Sequence, residues 1–211
     1  MTAAADLRRL MVDNQIAGRG ICNADVLDAM GIVPRELFVP AALREFAYGD
    51  RALPIEANQT ISQPYIVALM IEAAAIRPGD RVLEVGGGSG YAAAVMSRIA
   101  SQVYSIERHE ELAVLARERM VMLGYDNIEI RTGDGMGGWP EAAPFDAILV
   151  AAGGRAVPPP LLAQLAIGGR LVMPVGEADL QRLIAVTRLS KDSFDEEELC
   201  EVRFVPLIGA A

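Results

Sequence analysis

A run of small residues, Gly-Gly-Gly-Ser-Gly at 86–90, follows the apolar segment Arg81–Val85 and precedes a helix-forming segment. Glycine lets the backbone approach a ligand closely, and a helix N-terminus offers free N–H donors. The run therefore predicts a small-molecule site, with a tight strand–helix turn that binds nothing as the alternative. Gly88, Gly90 and Ala93 also match the dinucleotide-binding pattern, so a nicotinamide cofactor is open at this point.

Three acidic residues stand in or just after three successive predicted strands. Glu84 lies inside an apolar strand before the glycine run, where a carboxylate is costly without a polar partner. Glu107 ends the second strand, and Asp134 follows the third in the loop TGDG at 132–135. A carboxylate at Glu107 can accept hydrogen bonds from both hydroxyls of a ribose. Glu84 and Asp134 count against the nicotinamide cofactor.

The chain has one histidine, His109, and two cysteines, Cys22 and Cys200. A histidine-based zinc site, or a triad that needs a second histidine, is therefore nearly excluded. We expect His109 to be a partly exposed side chain after a strand. The cysteines are too few for a disulfide framework and indicate free thiols in a reducing compartment.

The elements that must position these residues follow from hydrophobic spacing. Residues 6–47 have helical spacing interrupted by Gly18, Gly20 and Pro34; 48–64 predict an irregular loop, and Pro64 is expected in the first turn of the next helix. Strands are then predicted at 81–86, 102–107, 127–134, 145–153, 168–176, 182–190 and 200–209, and helices at 91–100, 110–123 and 159–166. We expect the last two strands to form an antiparallel hairpin, and the acidic residues 192 and 195–198 to form a solvated turn.

Alternation of strands and helices predicts an α/β fold with a doubly wound, mostly parallel, Rossmann-like sheet and an N-terminal helical extension. Ligands bind at the carboxyl ends of such strands, which is where the glycine run lies. We expect a single domain over 1–211. It consists of a helical and substrate-loop segment at 1–75, a cofactor-binding core at 76–185 and C-terminal strands at 186–211.

Composition limits the partners. The 211 residues are 52% hydrophobic and 22% charged, which is globular, and the formal net charge of −9 without a basic stripe argues against nucleic acid. The first residues, MTAAADLRRLMVDNQ, have no apolar signal segment, and no stretch has the length of a membrane span without a charge or a Gly/Pro break. We expect a cytoplasmic protein that does not bind membranes.

The acidic residues and the glycine run together resemble the class I S-adenosylmethionine methyltransferases, which have a seven-stranded sheet. The resemblance implies that Glu107 holds the ribose, that Asp134 reaches the adenine amino group and that the glycine run packs on the methionine portion. The implied cofactor-binding residues are Glu84, Gly86, Gly88, Gly90, Glu107, Asp134 and Gly135, with S-adenosyl-L-homocysteine as product and no metal.

Other segments extend the resemblance over nearly the whole chain: VPRELFVP at 33–40, QTISQPY at 59–65, LEVGGGSGY at 83–91, GDG at 133–135 and RFVPL at 203–207. In this order and spacing they resemble the protein-L-isoaspartate O-methyltransferase family. That implies methylation of the free α-carboxylate of L-isoaspartyl residues in damaged proteins or peptides, which initiates repair. It also implies Ser62 as the catalytic hydroxyl, and Thr60, Ile61, Arg203 and Val205 as peptide-binding residues. Separately from the resemblance, we expect a monomer or small homo-oligomer.

Elementary chemistry agrees with this activity. An α-carboxyl of this kind has a pKa of about 3.5, so it is ionised at pH 7 and its attack on an activated methyl group needs no general base. The enzyme must mainly supply alignment, which is a proximity effect. The alternative for Ser62, taken alone, is a helix cap or a turn residue before proline, which is a common use of serine.

Two positions depart from the family pattern. Asn58 stands where glycine is common, and AAGG at 151–154 stands where Thr-Ala-Ala is usual. Both are expected near the peptide groove, so a carboxyl methyltransferase acting on normal Asp in a peptide natural product, or on a small acid, is an alternative. A non-catalytic cofactor-binding module is another, and the joint presence of Ser62, Glu107 and Asp134 argues against it.

Overall fold

The N-terminal region is helical in the computed structural model, which describes residues 3–177 and 180–209. It contains α1 (Ala3–Leu10), a π-helical turn (Met11–Ile16), a 3-10 turn (Ala17–Arg19) and α2 (Ala24–Ile32). Gly20, at φ +100°, ends the first helical stretch, and the Asn23 side chain caps α2 by accepting the N–H of Val26 at 3.2 Å. The interruption predicted at Gly18 and Gly20 is confirmed.

The segment 48–64 is largely irregular, as predicted, but it contains a small hairpin. The 3-10 turns Arg35–Leu37 and Ala41–Phe46 lead into β1 (Leu53–Pro54), which pairs antiparallel with β2 (Thr60–Ile61) across the 3-10 turn Glu56–Asn58. Strands of two residues are too short to show alternation in a sequence, so the hairpin was not predicted. Helix α3 (Pro64–Ala73) then begins with Pro64 in its first turn, as predicted.

Seven strands of the described chain form one sheet: β3 (Arg81–Val85), β4 (Gln102–Glu107), β5 (Ile128–Thr132), β6 (Phe145–Val150), β7 (Leu165–Glu177), β8 (Leu180–Arg188) and β9 (Phe194–Val202). The connecting helices are α4 (Tyr91–Met96), α5 (Glu110–Leu123) and α6 (Pro159–Gln164). The order is β5-β4-β3-β6-β7-β8-β9, parallel from β5 to β7 and antiparallel beyond. Strands β3, β4 and β5 follow one another toward one edge of the sheet, and β6 and β7 follow toward the other. The strand order therefore reverses between the parallel neighbours β3 and β6, and this position is the switch point of the sheet. The predicted doubly wound fold is confirmed.

Both faces of the central strands are buried, as is usual for parallel sheets. Along β3, Val82 packs into the apolar cluster formed with the N-terminal helices, whereas Leu83 and Val85 pack into a second cluster with Trp139 and Phe145. The register of β3 is therefore fixed from two sides, which makes its carboxyl end a rigid platform.

The C-terminal prediction is wrong in its boundaries. Strand β9 spans Phe194–Val202 rather than 200–209, so acidic residues 195–198 lie in a strand and not in a turn, while 203–209 lies outside it. Cross-strand ion pairs from Arg170 to Glu197 and from Arg182 to Glu198, at 3.2 and 2.7 Å, offset part of the charge, and the exposed sheet edge tolerates the rest. Strand β8 also crosses the predicted segment boundary at 185, and the single domain over 1–211 stays a prediction.

Other features bear on partners. In the described part of the chain, no helix is long and apolar enough to cross a membrane. Among the same residues there is no group of three or more His, Cys, Asp or Glu side chains arranged to hold a metal ion. Cys22 is exposed, Cys200 is half-buried, and both are free thiols.

Candidate active site

The glycine run at 86–90 joins the end of β3 to α4 at the switch point. The N–H groups of Gly86 and Gly87 donate to the carbonyl of Ile106 at 2.8 and 3.2 Å, which ties the run to β4. A Cβ atom on Gly87 would lie 2.3 Å from Ser105 Oγ, so a larger residue at position 87 would displace the Ser105 side chain of β4. The run is therefore held against the sheet and forms one wall of a cavity.

Glu107 ends β4 and faces this cavity although its side chain is almost fully buried. Its two carboxylate oxygens accept the N–H groups of Gly88 at 2.7 Å and His109 at 2.8 Å. These bonds fix the carboxylate, and each oxygen keeps a second lone pair. Glu107 can therefore accept two ribose hydroxyls, which is its predicted role. His109 is half-buried after β4 and also lines the cavity.

Glu84 lies behind the glycine run and is not among the residues that line the cavity. Its carboxylate accepts the hydroxyl of Ser105, its neighbour in the β3–β4 register, at 2.5 Å. Burial raises the pKa of Glu84 to about 8; the Ser105 hydrogen bond partly opposes this, and the Glu107 charge adds to it. Alternation along β3 directs Glu84 away from the face of Val85 and places it behind the run, and its predicted contact with the cofactor stays a prediction. The hydroxyl of Ser105 in an apolar strand was a signal that sequence reasoning missed.

The loop after β5 brings Gly133 and Gly135 to the cavity wall. Asp134 is exposed between them and accepts the N–H of Met136 at 2.9 Å, which caps the 3-10 turn Gly135–Gly137. A Cβ on Gly135 would lie 2.3 Å from a Val85 methyl group, so the loop packs closely on β3. Asp134 therefore adjoins the cavity without lining it, and its contact with adenine stays a prediction.

The cavity has a volume of about 330 Å³ and opens at the carboxyl ends of β3, β4 and β6. That volume is within the range of small-molecule sites. Of the predicted cofactor residues, Gly86, Gly88, Glu107 and Gly135 line it, whereas Gly90 lies just outside at the start of α4. This lining fits a ligand such as S-adenosylmethionine. The oriented carboxylate suits its ribose hydroxyls, and the apolar walls suit the faces of its adenine ring.

Ser62 lies between this cavity and a second one of about 240 Å³. It follows β2 directly, and its half-buried side chain lines both cavities, as do those of Thr60, Ala151 and Val205. The N-cap of α3 is Gln63, so Ser62 does not hold the capping position. The structure thus places Ser62 where two bound molecules would meet.

The C-terminal segment closes the second cavity. Arg203 lines it, and Val205 lines both cavities, whereas the buried Ile61 lies only on the first. The carbonyl of Val205 accepts the N–H of Gly153 at 2.8 Å, and the N–H of Leu207 donates to the carbonyl of Gly153 at 2.7 Å.

Arg108 was not predicted, although it directly follows Glu107 in the sequence. Its Nη1 donates to the carbonyls of Ile208 and Gly209 at 2.7 and 3.2 Å. Arg108 and Ile208 both line the first cavity. This arginine therefore holds the C-terminal segment beside the first cavity.

The two departures from the family pattern have local physical reasons. Asn58 adopts φ +54°, a left-handed conformation that favours glycine and that Asn tolerates better than most residues. Gly153 packs against Gln181, whose Nε2 would lie 2.3 Å from a Cβ there. Asn58 lines the first cavity and Ala151 both, so the departures do border the site.

Comparison with known proteins gives a consistent result. The family model for protein-L-isoaspartate(D-aspartate) O-methyltransferase matches residues 7–211. A protein-L-isoaspartate O-methyltransferase 2 of Pelobacter propionicus is 60% identical over 204 residues, covering 96% of this chain and 91% of the relative. A protein-L-isoaspartate O-methyltransferase of Methylorubrum populi is 56% identical over 214 residues and covers 100% of both.

Solved structures agree with the sequence relatives. A protein-L-isoaspartate O-methyltransferase matches with a TM-score of 0.85 at 31% identity, covering 95% of this chain and 66% of that one. A β-aspartate methyltransferase from Plasmodium falciparum, solved in complex with S-adenosyl-L-homocysteine, matches with a TM-score of 0.81 at 28% identity, covering 95% and 98%. Both likenesses extend over nearly the whole chain, including the N-terminal region.

Proposed function

Because the chain belongs to the protein-L-isoaspartate(D-aspartate) O-methyltransferase family, we infer that it transfers a methyl group from S-adenosyl-L-methionine to the free α-carboxylate of L-isoaspartyl residues in damaged proteins or peptides. The observation that carries this inference is the meeting of two cavities at Ser62. One has the volume and the oriented carboxylate for a nucleoside cofactor, and the other is lined by a loop and the C-terminal segment. Methylation of the carboxylate initiates repair.

The first cavity holds the cofactor. When bound, S-adenosylmethionine supplies a methyl group activated by its positively charged sulfur. Glu107 accepts the ribose hydroxyls, with its carboxylate oriented by the N–H groups of Gly88 and His109. The backbone of Gly86 and Gly88 packs on the methionine portion, and Asp134 with Gly135 lies beside the adenine.

Ser62 orients the substrate. The isoaspartyl carboxylate, with a pKa of about 3.5, is already ionised at neutral pH and needs no base. The Ser62 hydroxyl donates to one of its oxygens and directs the other toward the first cavity. Catalysis then consists mainly of alignment, which suits a site with a single histidine.

The second cavity holds the peptide. Thr60, Arg203 and Val205 form its walls, and Ile61 lines the adjoining first cavity. The substrates are isoaspartyl-containing proteins and peptides, and the net charge of −9 supports the absence of nucleic-acid partners. Composition also supports a cytoplasmic enzyme, and we propose a monomer or small homo-oligomer.

Transfer of labelled methyl groups to two synthetic peptides tests this function. The peptides differ only in whether one residue is L-isoaspartate or normal L-aspartate. We expect rapid labelling of the isoaspartyl peptide and little labelling of the other. Equal labelling of both, or labelling of the normal peptide alone, would support the alternative carboxyl methyltransferase that Asn58 and Ala151 left open. Absence of labelling with intact cofactor binding would support a non-catalytic module.

A further inference from the structure

Arg35 is fully buried, with 0% of its surface exposed. It lies in the 3-10 turn Arg35–Leu37, outside both cavities. Its Nε donates to the carbonyl of Ala47 at 2.8 Å, and its Nη2 donates to the carbonyl of Ser62 at 2.7 Å. The guanidinium carbon lies 4.8 Å from the centroid of the Tyr91 ring. Arg35 thus holds two carbonyl groups and one aromatic face.

The charge of Arg35 has no counterion in the described structure. The ion pairs found among residues 3–177 and 180–209 do not include it. Burial lowers the pKa of the Arg35 guanidinium below its ordinary value, but a guanidinium stays protonated in proteins. A buried charge without a partner charge is unfavourable, and well-packed apolar residues would serve stability better. Stability alone therefore does not account for this residue.

The contacts of Arg35 lead to the active site. Ser62 lines both cavities, and Tyr91 lines the cofactor cavity. The Tyr91 ring is itself fixed by an edge-to-face contact with Phe38, at 5.4 Å between centroids. Arg35 therefore reaches the wall of the site from behind, at the residue where the two cavities meet.

We propose that Arg35 is a positioning residue for methyl transfer: it fixes the backbone of Ser62, and its uncompensated positive charge favours an anionic carboxylate beside that serine. The proposal rests on the function proposed above for Ser62. Charges interact strongly where water is excluded, and the Arg35 guanidinium is fully buried. Two separable effects follow. Loss of the guanidinium geometry slows turnover, and loss of the charge weakens peptide binding.

Two variants separate these effects. Arg35→Lys keeps the charge and loses the two-pronged geometry, whereas Arg35→Gln loses both. The matched control is Arg188→Lys, because Arg188 also donates to backbone carbonyls, those of Ala163 and Leu165 at 3.2 and 2.5 Å, but at the amino end of β7, opposite the site. Each variant is measured for kcat and KM with the isoaspartyl peptide, cofactor affinity and melting temperature.

We expect Arg35→Lys to lower kcat roughly tenfold or more with little change in KM, since small misplacements are costly in aligned reactions. Arg35→Gln should also raise the peptide KM at least about fivefold, the effect of removing a charge near its partner. Cofactor affinity should stay near wild type in both, and Arg188→Lys should change the melting temperature alone.

Kinetic constants like those of wild type in a folded Arg35→Lys or Arg35→Gln variant would overturn the proposal, as would the absence of a folded state in both, which would assign Arg35 to stability. If Arg35→Gln alone does not fold, the kcat of Arg35→Lys decides. A wild-type enzyme that labels neither peptide would overturn the proposed function and this inference together, whereas an active wild type with unaffected variants overturns only the inference.

Discussion

The cofactor cavity and the peptide groove are built in different ways. The polar groups of the first stand at the ends of neighbouring parallel strands, with Gly86 after β3 and Glu107 ending β4. The second joins Thr60, Ser62 and Gln63 to residues 201–205, two segments from distant parts of the chain, outside the parallel strands. Strand ends are fixed by a register that is buried on both faces. The groove instead depends on long-range contacts, such as the one between Gly153 and Val205.

Because the cofactor cavity and the peptide groove are built from different segments, a substitution in one should leave ligand binding in the other nearly unaffected. The largest expected effect is that of Glu107→Ala on cofactor affinity. It removes the acceptor of two hydroxyls, and hydrogen bonds to charged groups are worth roughly 1.5–3 kcal/mol each, so affinity should fall about a hundredfold or more. Calorimetric titration with S-adenosyl-L-homocysteine measures this.

The matched control for that variant is Glu110→Ala, an exposed carboxylate in the first turn of α5. It should leave cofactor affinity unchanged. Unchanged affinity in Glu107→Ala, or tight NADH binding by the wild type, would refute the cofactor assignment. A large rise in peptide KM at saturating cofactor would show that the two regions are not independent.

The next effect is that of Ser62→Ala on turnover. Loss of one positioned donor at a reacting group costs on the order of 10²–10³ in rate, while the cofactor has no need of this hydroxyl. Initial rates with the isoaspartyl peptide and calorimetry with the cofactor should therefore diverge. If Ser62 only stabilises the turn before Pro64, the variant should lose about 1 kcal/mol of unfolding free energy and keep near-normal turnover.

A third effect distinguishes Glu84 from Glu107, the two buried carboxylates of the cofactor region. Between pH 4.5, the ordinary value, and about 8, folded Glu84 keeps a proton that the unfolded chain has released. Its contribution to stability is therefore complete below pH 4.5 and is lost as pH rises to 8. Within this window the loss is about 1.4 kcal/mol per pH unit.

Glu84→Gln should remove this dependence, because a neutral amide does not titrate. From pH 5.5 to 7.5 the unfolding free energy of the wild type should fall by about 2–3 kcal/mol more than that of the variant. Denaturant titration of both proteins at each pH measures this difference. Cofactor affinity should change far less than in Glu107→Ala, since Glu84 lies behind the loop. A loss of affinity in Glu84→Gln as large as that in Glu107→Ala would instead support the predicted role of Glu84 as a cofactor ligand.

The smallest effect is expected from Arg108→Ala, which releases the C-terminal segment from its position beside the first cavity. Its hydrogen bonds are exposed, so about 1 kcal/mol, or roughly a fivefold faster release of S-adenosyl-L-homocysteine, is expected. Stopped-flow displacement measures that rate. Arg117→Ala is the control, because Arg117 also donates to a carbonyl, that of Ile130, away from the site. Equal release rates in both variants would show that Arg108 does not retain the cofactor product through the C-terminal segment.

The sequence predicted the parallel part of the fold closely. Strand β4 and helix α5 begin and end at the residues predicted for them, and the buried residues of α5, Leu112, Ala116 and Met120, recur at helical spacing. Strand β9 was misplaced because its acidic residues resemble a turn. Its antiparallel pairing with β8, a long-range contact that local spacing does not show, makes this run a strand.

The site was also only partly predictable: residues at strand ends could be placed, whereas long-range contacts could not. Glu107 could be placed because it ends a strand, and Asn58 was noticed only as a departure whose positive φ the sequence does not display. The contacts of Arg35 with Ala47 and Ser62, and of Arg108 with Ile208, join segments far apart in the chain. Nothing in local spacing indicates such pairs, so the groove was predicted through resemblance alone.

The two cavities meet at Ser62, so we expect the cofactor and the isoaspartyl carboxylate to meet there as well. A crystal structure of the chain with S-adenosyl-L-homocysteine and an isoaspartyl peptide tests it most directly. We expect the ribose on Glu107, the peptide along Thr60 and Val205, and one oxygen of the isoaspartyl carboxylate within hydrogen-bond distance of Ser62 Oγ, about 2.7 Å. A carboxylate bound to Arg203 and remote from Ser62, or a peptide outside the second cavity, would contradict the claim.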